Sequence, residues 1–99
     1  KEESINSLYE LIIAGVDKWN KFANQIIADS GGDEFLLNLL SFNFVGLDWW
    51  EDFNLEGAIF PVRTFFESCE FRNIRFFMSP ISSSLSFKNI KVIIHISIP

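Results

Sequence analysis

From Phe42 onward, apolar residues recur at steps near five: Phe44, Trp49, Leu55, Phe60, Phe66, Phe71, Phe76, Ile81, Phe87 and Val92. A helix returns a side chain to the same face every 3.6 residues and a strand every 2.0, so neither produces this rhythm. It predicts a chain laid down in short segments, each contributing one inward side chain. Before Phe42 the steps are three and four. Leu8, Leu11, Ile12, Val16, Trp19, Phe22 and Ile26 form a stripe, widened by Ala23 and Ile27, that predicts an amphipathic helix. Ser4, Asn6 or Ser7 would cap its start. Gly15 weakens its middle by about 1 kcal/mol relative to alanine and predicts a bend there. Ser30-Gly31-Gly32 predicts its end. Asp33 then caps a short second helix from Glu34 to about Leu40. That helix carries Phe35, Leu36, Leu37, Leu39 and Leu40 on most of its sides, so it should be covered rather than face water.

The region after Ser41 divides into ten five-residue units, with Asp52, Arg63 and Ser84 as extra residues. The third position of every unit is apolar. The first is small or apolar: Phe42, Leu47, Phe53, Ala58, Thr64, Cys69, Ile74, Ser79, Leu85 and Ile90. The fifth is rich in residues that tolerate a tight turn, namely Gly46, Gly57, Ser68, Asn73, Ser83 and Asn89. If four units make one circuit, Phe66 stacks on Phe87 and Phe71 on Val92. Phe44 then stacks on Phe66 and Trp49 on Phe71, with one residue more between them because of Asp52. The first circuit is therefore less regular than the second.

Asn43-Phe44, Asp48-Trp49 and Asn54-Leu55, with the small first positions Ala58, Thr64, Cys69 and Ser79, resemble the repeated motif of the pentapeptide repeat proteins. The stretch from Gly15 to Asn20 is similar to the helical lead-in that often precedes such repeats. The units from Ala58 onward depart from the motif, carrying Ile59, Phe65, Glu70, Arg75, Pro80, Ser86 and Lys91 where it has Asn or Asp. The resemblance implies a mainly β fold: a right-handed quadrilateral β-helix, first and third positions inward, behind an N-terminal helical cap. It divides the chain into a two-helix cap over 1–41 and a repeat region over 42–99, about ten units in under three circuits plus a short tail. Trp19 and the Leu36, Leu37, Leu39 and Leu40 cluster would cover the first circuit. Stacking is needed because no single unit buries its own side chain.

Composition narrows the function classes. The chain has 99 residues, 48% hydrophobic and 21% charged, which fits one folded domain and argues against a disordered tail. No apolar run approaches the ~20 residues of a membrane span, and no signal peptide is visible. A single cysteine, Cys69, excludes an internal disulfide and fits a reducing, cytoplasmic setting. Residues 1–41 carry seven acids and three bases, whereas after residue 70 the only charges are Arg72, Arg75, Lys88 and Lys91. The acidity thus sits at the N-terminal end, and the far end is mildly basic.

Candidate chemistry is sparse. His95 is the only histidine, with no Cys/His/Asp cluster at ligand spacing around it, so neither a metal nor a cofactor is expected. Cys69 falls at an inward position and reads as a packing residue. Asp48, Glu51 and Asp52 flank Trp49-Trp50 in the manner of a sugar-cleaving acid pair, but the register places Trp49 inside. No phosphate loop or Ser-His-Asp set is present. The expectation is a non-enzymatic module, a rigid scaffold for an unidentified protein partner. Trp50, Phe65, Phe77 and Ile94, all at outward positions, would form its partner surface. The β-branched end, with Lys91, Val92, Ile94 and Ile96, predicts an edge that could pair with a second copy as a homodimer. Direct binding to nucleic acid or membrane is not expected. The alternative comes from the resemblance: some such proteins mimic DNA and inhibit type II topoisomerases such as DNA gyrase. That role needs a continuous negative surface, and the near-neutral repeat region argues against it.

Overall fold

Gly15 divides the N-terminal apolar stripe into two helices. The computed structural model describes residues 3–49, 54–72 and 85–93, and within them helix α1 spans Glu3–Ile13 and helix α2 spans Val16–Asp29. Gly15 has φ 120° and ψ 156°, a conformation that side-chain-bearing residues rarely adopt. The predicted bend is therefore a complete break. Ser4 lies inside α1 rather than at its cap. At the far end of α2, Ser30 donates its hydroxyl to the Ile27 carbonyl, and the backbone N–H groups of Gly31 and Gly32 reach Ala28 and Ile27. These bonds satisfy carbonyls that the last helical turn leaves open.

Asp33 caps helix α3, Glu34–Leu37, as the sequence predicts: its carboxylate accepts from the Phe35 N–H at 2.9 Å. The helix is only one turn long. Asn38 ends it, and the Asn38 carbonyl accepts from the Arg63 guanidinium at 3.1 Å.

Six short strands follow: β1 Ser41–Val45, β2 Asp48–Trp49, β3 Arg63–Glu67, β4 Glu70–Arg72, β5 Leu85–Lys88 and β6 Lys91–Ile93. They form two parallel three-stranded sheets ordered β1-β3-β5 and β2-β4-β6. Phe44 pairs with Phe66 and Trp49 with Phe71, then Phe66 with Phe87 and Phe71 with Val92. These are the partners read from the spacing of apolar residues. The rings of Phe44, Phe66 and Phe87 stack in one column at 5.0 and 5.2 Å, nearly parallel at 9° in both steps.

The chain turns from the first sheet to the second at Gly46, Ser68 and Asn89, with φ of 66°, 54° and 54°. All three are fifth-position residues. Hydrogen bonds link the corners as they link the strands. Gly46 N–H donates to Glu67, Ser68 N–H to Lys88, Glu70 N–H to Leu47 and Lys91 N–H to Cys69, all carbonyls at 2.9 to 3.0 Å.

The core lies between α1, α2 and the strands. Trp19 is fully buried at its centre, its ring 5.3 Å from Phe42 and 5.6 Å from Phe60. Ile12, Phe44, Leu55, Phe66, Cys69 and Phe71 complete it. The first- and third-position residues Phe42, Phe44, Leu55, Ala58, Phe60, Thr64, Phe66, Cys69 and Phe71 are buried, and within the strands this fits their alternation.

A mainly β, right-handed quadrilateral β-helix is not what forms. The architecture is a mixed α/β globule with two small sheets. Helices α1 and α2, of 11 and 14 residues, outweigh six strands of two to five residues each. The segment between β2 and β3 explains the difference. Residues 54–62 contribute only isolated bridges at Asn54 and Ala58. Pro61 has no N–H to give to a ladder. The polar backbone of Ile59 is taken by α2 instead: its carbonyl accepts from Trp19 Nε1 at 2.8 Å, and its N–H donates to Asn20 Oδ1 at 2.8 Å. Asn20 also donates to the Gly57 carbonyl at 3.0 Å. Helix side chains thus replace a neighbouring strand here. They also bury Ile59 and Val62, two side chains at outward positions of the five-residue register.

Candidate docking surface

The predicted cover for α3 is missing among the described residues. A one-turn helix aims few side chains at one surface, and here only Leu37 packs against the core. Phe35, Leu36, Leu39 and Leu40 are 69%, 44%, 65% and 46% exposed. Leu36, Leu39 and Leu40 line a shallow cleft of about 360 Å³ together with Ile26, Asp29 and Ser30 at the end of α2. The expectation that this leucine cluster covers the first strands is therefore corrected. Trp19 and α1 do that work, and Leu36, Leu39 and Leu40 face outward while Leu37 alone of the cluster packs inward. Four large apolar side chains within six residues, beside a cleft with an apolar floor, are more than the isolated exposures of an ordinary surface.

Acidic residues outnumber basic ones around this patch. No lysine or arginine occurs between Lys21 and Arg63, while Asp29 lines the cleft and the exposed Asp33 and Glu34 shortly precede Leu36 in the chain. Arg63, the first base after Lys21, reaches the patch between Leu37 and Leu39, through its bond to the Asn38 carbonyl.

The outward residues named from the sequence fare differently. Phe65 is half-buried on β3, level with Asn43 and Ser86, rather than openly exposed. Trp50, Phe77 and Ile94 lie outside the described residues. Of the predicted pairing edge, Lys91 and Val92 are exposed on β6, and Ile94 and Ile96 lie outside the described residues.

The candidate chemical groups are placed as follows. The Cys69 thiol is buried, donating toward the carbonyls of Phe44 at 3.3 Å and Glu67 at 3.4 Å, which is a packing position closed to reagents. Asp48 is exposed, and its carbonyl accepts from the Tyr9 hydroxyl at 3.1 Å. Partial burial, with the nearby Asp48 carboxylate adding to it, raises the Tyr9 pKa above its ordinary value. Glu51, Asp52 and His95 lie outside the described residues. Among the described residues, no three His, Cys, Asp or Glu side chains gather as a metal site, and no helix is long and apolar enough to cross a membrane.

A polar cleft of about 550 Å³ lies where Ala14, Gly15, Val16, Asp17 and Lys18 meet Asn54 and Glu56. Its charged side chains are exposed, so it lacks the desolvated groups that tune an active site.

Comparison with protein families, curated proteins and solved structures gave no match. The resemblance to pentapeptide repeat proteins gains no support from them.

The α3 patch could have been found from sequence. Phe35, Leu36, Leu37, Leu39 and Leu40 are too many apolar residues for one helical turn to bury.

Proposed function

We propose that this chain is a non-enzymatic module that docks to another protein through exposed apolar surface. The observation that carries this reading is the outward Phe35, Leu36, Leu39 and Leu40 cluster on α3. Exposed apolar area of this kind is costly to leave in water and marks contact sites. The support is rigid, because Trp19 and Asn20 tie α2 to the Ala58–Val62 stretch and Asp33 fixes the start of α3. The buried single thiol fits work in a reducing compartment such as the cytoplasm.

The test is in-cell crosslinking of the full chain, comparing the native protein with Leu39→Asp and with Val92→Asp. The reading predicts a discrete heterologous adduct that one of these substitutions removes. Loss with Leu39→Asp assigns the contact to α3; loss with Val92→Asp moves it to the β6 end. Absence of any adduct dependent on an exposed apolar residue would sink the reading.

A further inference from the structure

The chemistry of the α3 cleft specifies the kind of partner it takes. Its floor is aliphatic, formed by Ile26, Leu36, Leu39 and Leu40, and Phe35 stands exposed beside it. Its rim at the α2 end is acidic, with Asp29 in the cleft and Asp33 and Glu34 next to it in the chain. The Asp29 carboxylate is exposed and accepts from Gln25 Nε2 at 2.8 Å, so it keeps lone pairs for a second donor. Asp33 uses one oxygen on the Phe35 N–H and presents its charge outward.

An apolar trough with Asp29 in its lining and two more exposed acids just before Leu36 complements a segment with large apolar side chains along one face and lysine or arginine beside them. An amphipathic helix offers that arrangement, because residues three and four apart lie on one stripe while the flanking stripe holds the charges. Helix-in-groove docking of this type needs only a few apolar anchors. Acids facing bases across the rim add orientation and speed of encounter more than affinity.

We propose that the α3 cleft binds a basic amphipathic helix of another protein, its apolar face on Leu36, Leu39 and Leu40 and its cationic flank against Asp29, Asp33 and Glu34. This rests on the docking reading above and deepens it by assigning the partner's chemistry. The other end of the molecule does not offer the same fit. Phe87 and Val92 are also exposed there, but Lys88 and Lys91 stand beside them, and they would repel a cationic helix.

The probe is a labelled leucine/lysine amphipathic helix peptide of about five turns, titrated with the full chain and followed by fluorescence anisotropy. A leucine/glutamate counterpart and a leucine/lysine peptide scrambled out of helical phase are the controls. The lysine peptide is expected to bind, and to bind at least about ten-fold more tightly than either control. Leu39→Asp and Leu36→Ser should each weaken it about ten-fold, and Asp29→Asn together with Glu34→Gln several-fold. Raising salt from about 0.05 to 0.5 M should weaken it further. Both leucines are exposed, so circular dichroism and thermal melting should show these variants folded.

Equal binding of the glutamate peptide overturns the charge assignment, and equal binding of the scrambled peptide overturns the helical one. Weakening by Val92→Asp but not by Leu39→Asp overturns the location while leaving the docking reading standing. Self-association in sedimentation that Leu39→Asp abolishes makes the occupant a second copy and overturns the proposal. No binding of the lysine peptide, alongside a crosslinked adduct lost with Leu39→Asp, retains the docking reading and rejects this partner chemistry.

Discussion

Phe44, Phe66 and Phe87 occupy one column at successive strands, with the same side chain, the same register and nearly the same ring stacking. Yet Phe44 and Phe66 are 0% and 1% exposed, and Phe87 is 52% exposed. The neighbouring column behaves alike: Phe71 is buried and Val92 is 58% exposed. Identical local chemistry therefore gives different burial, and what differs is the cover. Trp19 and Ile12 close the first strands from the helical side, and β5 and β6 flank the middle ones. In this fold a side chain's worth is set by its neighbours along the stack more than by its own strand.

The sharpest way to break that comparison is to truncate the column one ring at a time. Phe66→Ala should cost about 3–5 kcal/mol, because the ring is enclosed by Phe44, Phe60, Phe71 and Phe87. Phe87→Ala should cost only about 1 kcal/mol, because the ring already stands half in water. Urea unfolding of both variants reads the difference, and equal losses would mean that the outer strand is as well supported as the inner one.

Asn20 tests whether the helical side holds the structure by hydrogen bonds as well as by packing. Asn20→Ala strands the Ile59 N–H and should cost about 1–3 kcal/mol in the same assay. Asn20→Asp keeps an acceptor for that N–H and loses the donor to Gly57, so it should fall between the two.

The corners offer a subtler contrast. Ser68 and Asn89 both have φ of 54°, a region that β-branched residues avoid. Ser68→Val, at the corner flanked by layers on both sides, should lower stability by about 1 kcal/mol. Asn89→Val should cost less, because the last strands can yield. A larger effect at Asn89 in thermal melts would reverse the ranking of the two ends.

The smallest effect concerns Tyr9, where α1 meets the end of β2. Its pKa is raised by partial burial and then by Asp48, so the folded state favours the neutral phenol. That contribution is fully present below the unfolded phenol's pKa of about 10 and is lost as pH rises through the higher folded value. Melting temperature should therefore fall more steeply between pH 9 and 11 for the native chain than for Tyr9→Phe.

Much of the strand register was legible before any coordinates. The apolar steps identify the Phe44–Phe66–Phe87 and Trp49–Phe71–Val92 partners, and the glycine and asparagine positions identify the corners. Asp33 announces the α3 cap, whereas Gly15 announces only a bend where the structure has a break between α1 and α2. The five-residue rhythm reports which side chains share a face, but it is silent on which backbone groups form ladders. That is why a quadrilateral β-helix was the wrong extrapolation. Around Ile59, one indole and one amide from α2 take the bonds that a strand would have made, and nothing in the local spacing of residues 54–62 shows it. The site was misjudged for a related reason. A run of leucines says that burial is favourable, whereas a single helical turn limits how much of it the chain can achieve alone. The five-residue register says nothing of that limit, which lies in the apolar excess of Phe35 to Leu40 itself.

Cys69 is the chain's one thiol, and its sulfur sits under Phe44 and Glu67 at the junction of the two sheets. A thiol-specific dye can reach it only when β3 and β4 separate from their neighbours. The labelling rate therefore works as an internal stopwatch for native-state opening. It needs no engineered probe, and the same measurement on the Phe66 and Phe87 variants would time how long each end of the stack stays shut.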